Sequence, residues 1–359
     1  MIGRSLAALG ATALGVLTLR AARQHGAQRL LAGTRRADGE AALRPALDAL
    51  GGEIIRFRAR DGVRLAGRWL PATSQDGDRR PDPGEAILLL HGYSGSIAPD
   101  LLEYAPFLRA TAGVFGIDFR GHGDADDGPT TFGLLEVEDV AGALAWLGER
   151  GIRRVALMGT SMGGMTALAA VAVLGDGSLP GADTDPHRTR AVTPPPSPRI
   201  VAVVADSVAS DPTIPVASRL PVPGPLQRFM AARLFDGATR TLGADPRSIA
   251  PARVIGLVEP VPLLLIHGDA DATVPLADGE YLAALAGPSA QHWIVPGAGH
   301  SGGHAAAPQD YAQRVRDFLR MALARARTED AARADAYDRD HEPGSIIGDP
   351  ANHEMPAED

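Results

Sequence analysis

A chain of 359 residues, 45% apolar and 22% charged, can bury a substantial core and is too hydrophobic to be disordered throughout. It has no cysteine, and its 35 lysine-plus-arginine positions are all arginine. This excludes disulfides, thiolate nucleophiles, zinc-thiolate and iron–sulfur sites, the P-loop lysine and Schiff-base chemistry. The net charge of −8 is local: from Thr328 to the C-terminus there are ten acids and two arginines, so the remainder is near neutral and offers no basic patch for nucleic acid.

Ser5 to Leu19 (SLAALGATALGVLTL) is uncharged and mostly apolar, with Arg4 before it and Arg20, Arg23, Arg29, Arg35 and Arg36 after it. Fifteen helical residues span about 22 Å, short of the roughly 30 Å hydrocarbon core. That length suits a short anchor with snorkelling arginines, or a signal-peptide core without a clean A-x-A site behind it. Residues 1–36 are read as an anchor and its basic flank, giving membrane association through residues 5–19. The arginine excess on the C-terminal side predicts that the following domain is cytoplasmic, with export by a signal peptide as the alternative.

Residues 37–326 carry the domain. Glu53 to Leu70 alternates apolar residues with arginine around Asp61-Gly62, the pattern of an edge hairpin. Ala86–Leu90, Val114–Ile117, Val155–Met158, Ile200–Ala205, Val261–Ile266 and Trp293–Val295 are short apolar runs that suit parallel strands buried on both faces. Helical spacing separates them, as in Val137, Val140, Ala141, Leu144 and Leu147, and again in Tyr311, Val315, Phe318, Leu319 and Leu323. The alternation predicts an α/β fold with a mostly parallel, doubly wound sheet.

Two segments interrupt the alternation. Residues 175–199 are rich in Pro, Gly, Asp and Arg and are expected to be a disordered insert. Residues at about 207–260 are too long for one crossover and are expected to form a small cap. Within it Leu226, Phe229, Met230 and Leu234 make an apolar helical stripe, expected either to pack the cap on the body or to wall the site. Residues 327–359 are expected to be an acidic disordered tail.

Gly159-Thr160-Ser161-Met162-Gly163 joins one apolar run to a helix and matches the G-x-S-x-G nucleophile elbow, a sharp turn that needs neighbours without bulk. A ligand would meet Ser161 beyond the carboxyl end of its strand, where the helix N-terminus favours negative charge. With His91-Gly92-Tyr93-Ser94-Gly95 and Asp118-Phe119-Arg120-Gly121-His122-Gly123, the chain resembles the α/β-hydrolase fold family over roughly Glu53 to Ala324. The resemblance implies an oxyanion hole from the backbone N–H groups of Tyr93 and Met162. It also implies a Ser, Asp, His order.

His267-Gly268-Asp269-Ala270-Asp271-Ala272-Thr273-Val274-Pro275 resembles the family's H-G-x-x-D-x-x-V-P, which makes Asp271 the acid in preference to Asp269 and Asp206. Gly297-Ala298-Gly299-His300 places the base at His300, with His304 its competitor. Gly297, Gly299 and Gly302 also spell a dinucleotide fingerprint, but too little chain follows for the ribose-binding strand. His91, His122, His267 and His292 are expected to be structural. Serine in place of aspartate at the elbow implies an acyl-enzyme route that needs no metal or cofactor. The expected substrate is a small-molecule ester, thioester or other acyl compound. An aminopeptidase-like amidase, an acyltransferase and a non-catalytic tethered interaction protein are the alternatives.

Overall fold

The computed structural model describes residues 25–32, 37–73, 80–93, 95–175 and 197–341. The anchor segment Ser5–Leu19, the body of the expected insert and residues 342–359 lie outside them. Among the described residues, no helix is long and apolar enough to cross a membrane. The chain divides between Leu323 and Ala324 into two units.

Helix α1 (25–31) and helix α2 (Ala37–Leu50) precede the hairpin of β1 (Glu53–Arg58) and β2 (Arg64–Leu70). Then come β3 (Glu85–Leu90), α3 (Ala98–Leu108), β4 (Gly113–Asp118), α4 (Glu136–Glu149), β5 (Arg154–Thr160) and α5 (Met162–Leu174). They are followed by β6 (Arg199–Asp206), the helices α6 (Thr213–Ser218), α7 (Gly224–Leu242) and α8 (Pro251–Val254) of the segment expected to form a cap, and β7 (Leu263–Gly268). Helix α9 (Leu276–Ala286), β8 (Gln291–Val295), α10 (Gly303–Ala306) and α11 (Pro308–His341) complete the order.

One eight-stranded sheet runs β1-β2-β4-β3-β5-β6-β7-β8. Only the β1–β2 and β2–β4 pairs are antiparallel. The central strands β3, β4 and β5 are buried at every position, which explains why their sequences show unbroken apolar runs instead of alternation. Register brings their ends together: Leu90 pairs with Gly159, Thr160 with Asp206 and Gly268 with Val295. The loops after β3, β5, β7 and β8 therefore leave from one edge of the sheet, as ligand-binding loops do in open α/β folds.

Three expectations change. First, residues 25–31, read as an anchor's flank, form a helix on the domain: Ala27, Leu30 and Leu31 are buried, and the Leu31 carbonyl accepts the Thr130 N–H at 2.8 Å. Second, Leu226, Phe229 and Met230 face solvent, while α7 packs through Ala231, Phe235, Gly237 and Ala238. Small residues allow the closer approach, so the less hydrophobic face is the covered one. Third, α11 runs to His341, well into the expected disordered tail. No Gly or Pro interrupts Gln309 to His341, alanine and arginine favour helix, and Arg325 pairs with Glu329 one turn on at 2.7 Å.

Candidate active site

Ser161 sits between β5 and α5 with φ 50° and ψ −113°, outside the ordinary regions for a residue with a side chain. The turn is possible because its neighbours are glycines. A Cβ on Gly159 would run into the Gly163 backbone, and one on Gly163 into the Leu90 carbonyl. The turn is also tied down, since the Ser161 N–H donates to the Asp206 carbonyl at 2.8 Å and its carbonyl accepts the Met165 N–H at 3.0 Å. Met162 opens α5, so its N–H has no acceptor within the helix. Gly92 lies against the elbow, where a Cβ would come within 3.5 Å of the Ser161 Cβ. Tyr93 follows it, with its ring stacked on Phe132 at 5.3 Å and its hydroxyl donating to the Leu30 carbonyl at 3.1 Å.

His300 bridges two of the sequence-predicted residues. Its Nε2 lies 2.9 Å from the Ser161 Oγ and its Nδ1 2.8 Å from the Asp271 Oδ2. The other Asp271 oxygen accepts the Thr273 and Val274 N–H groups, each at 2.8 Å. Burial pushes this carboxyl up, but the His300 hydrogen bond and the two backbone donors outweigh it and hold Asp271 below its ordinary range. An ionised carboxylate can only accept, so the His300 proton belongs on Nδ1. Nε2 is then left to accept the Ser161 hydroxyl.

The competing residues have other partners. Asp269 accepts the Gly297 N–H at 2.6 Å and fixes the turn leading to His300. Asp206 accepts from the Tyr311 hydroxyl at 2.7 Å and the Ser207 hydroxyl at 2.8 Å, and the Ser207 Oγ accepts the Ser301 N–H at 2.9 Å. Through its carbonyl and its carboxylate, Asp206 thus ties the elbow to the loop that carries His300. His304 pairs with Glu103 at 3.1 Å. His267 donates to the Val274 carbonyl at 2.9 Å, and His122 Nδ1 contacts the Arg120 carbonyl at 3.0 Å. His91 accepts the Phe119 N–H at 3.1 Å and is driven down to about 3, by burial first and then by His122, so it stays neutral.

The model of the alpha/beta hydrolase family matches residues 87–314, a range that includes Ser161, Asp271 and His300. The chain belongs to this family. "Uncharacterized protein YfhR" of Salmonella typhi is 29% identical over 255 residues, covering 69% of this chain and 74% of that protein. Its namesake in Escherichia coli strain K12 is 28% identical over 281 residues, covering 77% and 83%. Among solved structures, the Pyrococcus furiosus esterase Pf2001 superposes with a TM-score of 0.53 at 22% identity, covering 76% of this hydrolase and 94% of that chain. The alpha/beta hydrolase GrgF from Penicillium sp. sh18 gives 0.52 at 19% identity, covering 76% and 99%. At those identities the likeness is one of fold.

Sequence reasoning missed two neighbours of the site. Asp100, on the first turn of α3, accepts the Thr160 hydroxyl at 2.9 Å and is raised to about 7 by burial, against that hydrogen bond. Helix α1 reaches the loop of Tyr93 through Leu30. No local sequence pattern marks either contact, because each joins segments about sixty residues apart.

Proposed function

We propose that the protein is a serine hydrolase that cleaves carboxylic esters or thioesters of apolar acyl groups. The observation carrying this reading is His300 hydrogen-bonded at once to a strained Ser161 and to an ionised Asp271. Ser161 Oγ attacks the acyl carbonyl while its proton passes to His300 Nε2, and Asp271 steadies the resulting imidazolium. The tetrahedral oxyanion falls to the N–H groups of Tyr93 and Met162. A single side-chain donor in a protease oxyanion hole is worth about 3 to 4 kcal/mol. His300 then returns the proton to the leaving alcohol or thiol, and water releases the acyl group by the same route.

The preference for apolar acyl groups rests on the inner side of the cap. Phe235 of α7 packs on Phe132 at 5.5 Å, and Phe132 on Tyr93, an aromatic series ending beside the elbow. The test is hydrolysis of p-nitrophenyl esters of graded length. kcat/KM should rise from acetyl to about hexanoyl, each buried CH₂ offering up to roughly 0.8 kcal/mol. A flat or falling series, or faster cleavage of aminoacyl anilides than of matched esters, would move the reading to an aminopeptidase-like amidase. Competition by an added alcohol would move it to an acyltransferase.

A further inference from the structure

Helix α7 buries one face in the cap and turns a different kind of face outward. Leu226, Phe229 and Met230 are 45%, 56% and 37% exposed. At about 100° per residue, they share an arc of about 100° with Arg233 and Arg240. The Arg233 guanidinium lies over the Phe229 ring at 5.1 Å, so cation and aromatic form one surface. Exposed Pro221, Pro223 and Pro225 lead into it. From Thr213 to Gly243 the sequence holds four arginines and one aspartate, Asp236, which pairs with Arg233 at 3.2 Å. An apolar stripe rimmed by arginine is the composition of a helix that lies in a bilayer interface.

Helix α1 packs beside the cap, where a Cβ on Gly26 would meet the Leu234 side chain at 2.7 Å. His25 follows Leu19, the last of the apolar stretch Ser5–Leu19, by six positions, at most about 20 Å of extended chain. The uncharged, mostly apolar stretch Ser5–Leu19 is thus joined by a short segment to a helix that packs beside α7.

We propose that this face of α7 rests on the surface of an anionic lipid bilayer, with Leu226, Phe229 and Met230 among the acyl chains and the arginines at the phosphates. The stretch Ser5–Leu19 could cover the same face, but it offers no negative charge to the arginines. This docking does not rest on the hydrolase reading.

The absence of cysteine makes the test direct. Phe229→Cys and, on edge strand β1, Ile54→Cys are made in the full chain, labelled with a polarity-sensitive fluorophore and mixed with vesicles. With phosphatidylcholine–phosphatidylglycerol vesicles, the label at position 229 should move to a markedly less polar environment and the label at position 54 should not. A Phe229→Ser/Met230→Ser variant should bind these vesicles roughly tenfold more weakly, the order expected when the burial of an aromatic side chain is lost. Its turnover of a water-soluble ester should be unchanged. The proposal is overturned if label 229 stays in water while the chain binds, if both labels respond alike, or if phosphatidylcholine alone gives the same response. A label at 229 that is already shielded before vesicles are added would also overturn it, assigning the face to the chain's own apolar stretch.

Discussion

Asp206 is the last residue of β6 and Asp271 lies three residues past the end of the adjacent parallel strand β7, and both are buried. What distinguishes them is what each carboxylate faces. Asp271 meets an imidazole and two backbone N–H groups, and the sum of those contacts holds it below the usual carboxylate range. Asp206 meets the hydroxyls of Tyr311 and Ser207, and burial outweighs them, so it is raised. A place at a strand end is common to both, and of these two acids Asp271 is the one hydrogen-bonded to His300, which is why the proposed reaction assigns it the acid's role.

The largest expected effect tests this contrast. Asp271→Asn should lower kcat by about 10⁴, because the amide favours the wrong histidine tautomer. Asp206→Asn should act only through the loop and cost no more than about tenfold. Steady-state kinetics on one ester checks both, and the reverse ranking would exchange the two roles.

A smaller effect concerns stability. Tyr311→Phe leaves a buried Asp206 oxygen without its hydroxyl and should cost about 1 to 3 kcal/mol in denaturant unfolding, with kcat changed far less. A large loss of kcat with unchanged stability would place Asp206 in the chemistry.

The smallest effect is a difference in pH dependence. A carboxyl raised above its ordinary value of 3.8, as in Asp206, gives stability that is present below that value and lost as pH rises through the folded value. For Asp271, held below 3.8, the contribution is present above that value and lost as pH falls through the folded one. Unfolding midpoints against pH should therefore lose part of the decline that sets in as pH rises above 3.8 in Asp206→Asn, and part of the decline as pH falls below 3.8 in Asp271→Asn. Parallel curves would show that the two sites do not differ in this way.

The sheet was legible because its central strands are buried on both faces and announce themselves as apolar runs. Ser161 and His300 were legible because the elbow needs glycines at fixed offsets, and the histidine follows the last strand. Less legible was everything decided by a distant partner. Periodicity found the stripe Leu226, Phe229, Met230 and Leu234 but could not say that Ala231, Phe235 and Ala238 were the covered face, with only Leu234 of the stripe packed against the core. Nor could it show Asp206 bonded to Tyr311, 105 residues away. In the acidic C-terminal stretch, net charge points to disorder while an uninterrupted run of helix formers carries α11 on to His341.

Every step of the proposed reaction depends on Ser161 as the nucleophile, activated by His300. A fluorophosphonate probe followed by peptide mass spectrometry tests this most directly. A single adduct on Ser161 is expected, absent in Ser161→Ala, with that variant's ester turnover reduced by several powers of ten, as for other triad serines. An adduct on another residue, or a Ser161→Ala protein that keeps about a tenth of its activity, would contradict it.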